Sequence, residues 1–181
     1  MNRILIIINP QNDFIFGNLK VPNASNIIKN IYNILIKEKY SRILVIMDWH
    51  PFNHCSFDIN GGVWPPHCIQ YTTGAAIDLS ISNLLSKLGE SIKISILEKG
   101  CNSDKEEYGT FKDEKIANKY LSKDDSIYIC GIAGDYSVYE TIKNLLNLGY
   151  KNITVIKDCV ASIDGGVKLN KLVDSNKLRL E

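Results

Sequence analysis

Five short runs rich in β-branched residues recur along the chain: Ile4–Ile8, Ile43–Met47, Ile92–Leu97, Ile127–Cys130 and Ile153–Ile156. Runs this compact and this apolar read as strands buried on both faces. Between them, Asn26–Lys39 places Ile27, Ile28, Ile31, Ile34 and Leu35 at helical spacing. Ala76–Leu88, Lys112–Leu121 and Ser137–Leu148 follow the same period less strictly. Strand and helix in alternation predict a doubly wound α/β fold, a mainly parallel sheet with helices on both faces. A chain of 181 residues suits one such domain, spanning 1–181. The stretch after Asp158 is short and polar for a sixth strand, which leaves that edge of the sheet open.

Charge narrows the partners. The 21 basic and 20 acidic side chains nearly cancel, whereas nucleic-acid and membrane surfaces call for a basic excess. A small, nearly neutral substrate fits better. The apolar run Ile4–Ile8 stops at Asn9-Pro10, too soon for a signal peptide. No stretch approaches the roughly 20 apolar residues of a membrane span. Five cysteines without clustered spacing suit reduced thiols. The expectation is a soluble cytoplasmic protein.

One interval breaks the alternation. From Trp49 to Thr73 there is little periodicity, and all three histidines, His50, His54 and His67, fall inside it. A loop of that length is functional or disordered, and its aromatic content argues for the first. Asp48 and His50 are two apart at a strand end, where the strand period points both to one face. A carboxylate and two imidazoles are a common ligand set for a divalent metal, zinc above all, with iron or manganese also accepted. Asp48, His50 and His67 are therefore the expected ligands, with His54 and Ser56 behind them or facing the substrate. In open α/β sheets, ligands sit beyond the carboxyl ends of the strands, which also singles out Asp13, Lys99 and Gly131–Ser137. The bland alternatives are a helix-capping aspartate and a solvated lysine.

Together these segments resemble a known family. Asn9-Pro10-Gln11-Asn12-Asp13-Phe14, the stretch Asp48-Trp49-His50 through Phe57, Trp64-Pro65-Pro66-His67-Cys68, Glu98-Lys99-Gly100 and Gly131-Ile132-Ala133-Gly134-Asp135-Tyr136 look like the motifs of nicotinamidases, also called pyrazinamidases. These belong to the isochorismatase-like cysteine hydrolases. The resemblance implies hydrolysis of nicotinamide or pyrazinamide, with nicotinate as the product in the first case, through a covalent acyl-enzyme. It implies Asp13 as general base and Lys99 as the cation beside the nucleophile. Ala133, after a cis peptide, and residue 137 would form an oxyanion hole. Asp48, His50 and His67 would hold the metal that takes the pyridine nitrogen, and Phe14, Trp64 and Tyr108 would line the ring pocket. Relatives self-associate, so a homo-oligomer is also expected.

The chain departs from this pattern at Ser137, where the family carries its nucleophilic cysteine. A hydroxyl is far less acidic than a thiol of pKa about 8.5, so a lysine and carboxylate tuned to a thiolate activate it poorly. Activity is expected to be lost or reduced by orders of magnitude. The rest of the site looks intact, which favours an engineered replacement. A natural serine variant, a non-catalytic binder of nicotinamide-like ligands and an amidase for another small amide are the competing readings.

Overall fold

The computed structural model describes residues 2–181. Six strands, β1 (Arg3–Ile8), β2 (Arg42–Asp48), β3 (Lys93–Lys99), β4 (Ser126–Ile132), β5 (Ile153–Ala161) and β6 (Arg179–Leu180), form one sheet in the order β3-β2-β1-β4-β5-β6. Every neighbouring pair is parallel. The five expected strands are present, and the open edge is closed by the two-residue β6.

Alternation along β1 shows how the sheet divides the core. Leu5 and Ile7 enter one apolar cluster, with Ile27, Ile31 and Leu35 of α2 (Ala24–Lys37) and Ile81 and Leu85 of α3 (Leu79–Leu88). Ile4, Ile6 and Ile8 enter the other, with Ile142 and Leu145 of α5 (Tyr139–Asn147) and Leu169 and Val173 of α6 (Val167–Asn176). Burying both faces of the strand explains why its sequence is a continuous apolar run rather than an alternating one.

Two helices differ from expectation. The Lys112–Leu121 pattern yields only α4 (Glu114–Ala117). Asp113 caps it by accepting the Ile116 N–H at 2.8 Å, and the Tyr120 and Leu121 N–H groups both turn back onto the Ala117 carbonyl, which ends it. The helix expected from Ser137 begins as a π-helical turn, Gly134–Val138, and becomes α-helical only at Tyr139. A single turn, α1 (Asn12–Ile15), follows β1. From Trp49 to Asp78 the chain has only a 3-10 turn at Asp58–Asn60 and isolated bridges. Among the described residues no helix is long and apolar enough to cross a membrane.

Candidate active site

The order of the sheet reverses between β1 and β4, and in folds of this kind the crevice beyond that point holds the ligand. Asn9 directly follows β1, while Asp48 and Lys99 end β2 and β3 as paired neighbours in the parallel register. Ser137 lies in the turn after β4. All four side chains are buried.

Asp48 is the hub. Gln11 holds its main chain from both sides, donating from Nε2 to the Asp48 carbonyl at 2.7 Å and accepting the Asp48 N–H on Oε1 at 2.8 Å. Its carboxylate accepts from Lys99 Nζ on Oδ1 and from Asn9 Nδ2 on Oδ2, the latter at 2.9 Å. Burial alone raises a carboxyl pKa, but the Lys99 ammonium beside it outweighs this. Asp48 is held below the usual carboxylate range.

The metal-type cluster is assembled as expected. One ligand atom each from Asp48, His50 and His67 lie within 4.8 Å of one another. His50 Nδ1 stands 2.9 Å from the Gly100 carbonyl and His67 Nδ1 stands 2.8 Å from the Pro65 carbonyl. A carbonyl only accepts, so both rings carry their proton on Nδ1 and keep the Nε2 lone pair for a ligand. Burial pushes the His50 pKa down to about 4 and lowers that of His67, keeping both neutral. Gly100 is required here: its φ is +65°, and a Cβ would overlap the His50 ring. The donor set and its protonation fit a divalent ion. His54 stands apart, with Nδ1 against Ser56 Oγ at 2.7 Å and Nε2 against the Lys105 carbonyl at 3.2 Å, its ring centroid 4.2 Å from that of His50.

Asp13 requires a correction. Its carboxylate accepts the Cys68 N–H at 2.7 Å and the Asn18 N–H at 3.2 Å, with Gly17 and Gly74 closed around it. It fastens the histidine loop to the turn after β1 and does not reach Ser137. The groups beside Ser137 Oγ are Asn9 Nδ2 at 3.1 Å and Lys99 Nζ at 3.2 Å. The ionised Asp48 can only accept, which fixes the Asn9 amide with its nitrogen toward Asp48 and Ser137. Asn9 Oδ1 is left buried and unpartnered. Neither an amide NH2 nor an ammonium can take a proton, so no base adjoins the hydroxyl. The cysteines do not substitute. Burial is the leading cause that raises each of the five thiols, Cys68 and Cys130 furthest and Cys159 to about 12.

Sequence reasoning missed Asn9 and Gln11. Asn9 looked like a strand terminator, although it holds the same strand-end station that drew attention to Lys99.

Beside Ser137 lies a small cavity walled by Phe14, Trp64, Tyr108, Ala133 and Tyr136, with Asp48 and His67 at its floor. The Trp64 indole N–H donates to the Tyr108 hydroxyl at 3.1 Å, and both rings pack against Tyr136. The Ile132–Ala133 peptide is cis.

The isochorismatase-domain family model matches residues 3–171. The nicotinamidase of Saccharomyces cerevisiae is 32% identical over 97% of this chain and 95% of its own length. The pyrazinamidase of Pyrococcus horikoshii, solved in complex with zinc, is 30% identical with a TM-score of 0.83, covering 100% of this chain and 99% of that one. A yeast nicotinamidase bound to the inhibitor nicotinaldehyde is 28% identical with a TM-score of 0.83, covering 98% of both chains.

Proposed function

The chain belongs to the isochorismatase-domain family, as an isochorismatase-like nicotinamidase by its relatives, and from that premise we propose that it is a metal-centred binder of nicotinamide-like pyridines whose amide hydrolysis is lost or reduced by orders of magnitude. The nicotinamidase relatives support an amide-hydrolase site. The observation that carries the reading is the surroundings of Ser137 Oγ, two donors and no base.

Asp48, His50 and His67 would hold the ion, with zinc favoured by the zinc-bound pyrazinamidase relative. Once bound there, a divalent ion supplies a Lewis-acidic position that takes a pyridine nitrogen. Phe14, Trp64 and Tyr108 would sandwich the ring, and nicotinaldehyde in the yeast relative is a ligand of this size and shape. That seats a 3-carboxamide or 3-carboxylate toward Ser137 and the backbone N–H groups of Ala133 and residue 137. Lys99, paired with Asp48, holds the Ser137 oxygen and favours negative charge beside it.

Acyl transfer requires the nucleophile to lose its proton as it attacks. Ser137 has a weakly acidic hydroxyl, and Asn9 and Lys99 both donate to it. The carboxamide is thus positioned and not attacked. With only the Asn9 amide and the Lys99 ammonium beside the Ser137 oxygen, a binding function is favoured over turnover.

The test pairs calorimetric titration of the zinc-loaded chain with nicotinamide and nicotinate against an ammonia-release assay under the same conditions. Binding with ammonia release at background is expected. Turnover at the 1–1,000 per second typical of enzymes would overturn the reading, as would failure of both pyridines to bind the zinc-loaded protein.

A further inference from the structure

The cavity beside Ser137 has a volume of about 30 Å³, room for one or two water molecules. Sites for drug-sized ligands begin near roughly 300 Å³. An aromatic ring therefore enters only if a wall gives way. Phe14 and Val21 belong to the buried core, at 4% and 1% exposure, and Trp64 is tied to Tyr108. Ile163 differs: it lines the cavity yet is 42% exposed. It sits on the strap 162–166 between β5 and α6, which has no strand or helix and ends in Gly165 and Gly166, both with left-handed φ of +71° and +89°.

The strap is held from the Ser137 turn. Asp135 is 3% exposed, and its carboxylate accepts the Ile163 N–H at 3.1 Å and the Asp164 N–H at 3.0 Å. Bonds to an ionised carboxylate are about twice as strong as neutral ones, and these two lie two residues from Ser137, beside Tyr136 in the cavity wall. On the far side, Ser162, Gly165 and Gly166 border a groove of about 250 Å³ with Val160 and Leu169. The strap has its latch at Asp135, a glycine pair at the other end where Asp164 accepts the Gly166 and Lys168 N–H groups at 2.7 and 2.8 Å, and a groove beside it.

We propose that Asp135 is a positioning residue, whose carboxylate latches the 162–166 strap so that Ile163 forms the movable wall of the ring pocket and sets both the rate of ligand entry and the size of ring admitted. The proposal rests on the reading of this cavity as a pyridine site.

Stopped-flow binding of nicotinamide and of 5-methylnicotinamide to the zinc-loaded chain, Asp135→Asn and Ile163→Ala tests it, alongside hydrogen exchange at the Ile163 and Asp164 amides. An asparagine keeps one acceptor and turns a donor toward the second N–H. Asp135→Asn should raise the association and dissociation rates for nicotinamide by about tenfold, the effect of losing one charge-assisted bond, and speed exchange at both amides. Ile163→Ala should narrow the preference for nicotinamide over its 5-methyl derivative several-fold while leaving the latch and the exchange of both amides as they are. A purely structural Asp135 would lower thermal stability and leave the rates and the size preference unchanged, and that result overturns the proposal. If Asp135→Asn does not fold, an unchanged size preference in Ile163→Ala overturns it. Should the parent chain bind neither pyridine, the pyridine reading fails while the latch is still judged by amide exchange: protection at Ile163 and Asp164 that Asp135→Asn leaves intact sinks it.

Discussion

The Asn9 amide nitrogen lies 3.1 Å from the Ser137 hydroxyl oxygen, joining two side chains that are 128 residues apart in sequence. This contact predicts that residue 137 alone does not restore hydrolysis. Asn9→Asp would put a carboxylate where the amide now donates, and Ser137→Cys would supply an acidic thiol. A general base contributes about 100-fold to 10,000-fold. The double variant, zinc-loaded, should release ammonia from nicotinamide at least about 100-fold faster than either single variant. Equal rates for Ser137→Cys and the double variant would show that Asn9 is not what withholds the base.

Zinc stoichiometry separates the three histidines. His50→Ala and His67→Ala each remove one of the three proposed ligands, and dialysed protein should hold far less than one equivalent by elemental analysis. His54→Ala should retain stoichiometric zinc, since both of its ring nitrogens face Ser56 and Lys105. With free zinc at about 100 times its dissociation constant, the parent should gain roughly 2.7 kcal/mol of stability, and the His67→Ala protein much less.

Gln11 touches no ligand in this reading, yet its amide satisfies the buried N–H and C=O of Asp48 together with the Ala75 carbonyl. Gln11→Ala leaves these groups unpaired, at a cost of about 1–3 kcal/mol for each buried group. Urea unfolding should show a loss within that range or above it, and zinc affinity should fall with it because Asp48 is no longer held. A loss under about 0.5 kcal/mol, the level of an ordinary surface substitution, would mean that water replaces the amide.

Acid should destabilise the metal-free protein early. The His50 pKa is lowered from 6.5 to about 4 in the folded chain, and His67 moves in the same direction, burial being the leading cause for both. Between these values the unfolded chain binds protons that the folded one refuses, so stability rises with pH. It is fully present above about 6.5 and falls away as the pH drops toward 4. His50 alone accounts for about 3 kcal/mol. Chelated protein titrated by denaturant between pH 7 and 4 should show this loss, and a flat profile would mean that the buried rings are already hydrated.

Much of this was legible in the chain. The β-branched runs located five strands because burial on both faces leaves a continuous apolar signature. The histidine loop stood out because its ligand types cluster within 20 residues of one strand end. What periodicity does not encode is the direction of side chains in the tight turn after β1. Asn9 and Asp13 are four residues apart, and a carboxylate is the more obvious base. The turn aims Asn9 at the crevice and folds Asp13 onto the Cys68 N–H. Consistent attention to strand ends favours Asn9, since it follows Ile8 directly, while Asp13 belongs to α1. The early end of α4 likewise depends on Tyr120 and Leu121 folding back onto one carbonyl, which residue types alone do not announce.

The four polar residues at the heart of the site stand on four different parallel strands or the turns that follow them, and Asp48 and Lys99 are ladder partners. Parallel pairing brings together segments distant in sequence, and closing such long loops slows folding. No fragment short of the β1–β4 region can hold the constellation. The Asp48 N–H is held by the Gln11 side chain at the end of β2, so its exchange should report release of Gln11, a smaller fluctuation than global unfolding. A ligand that binds here touches segments from four strands at once, so it stabilises the folded domain by mass action.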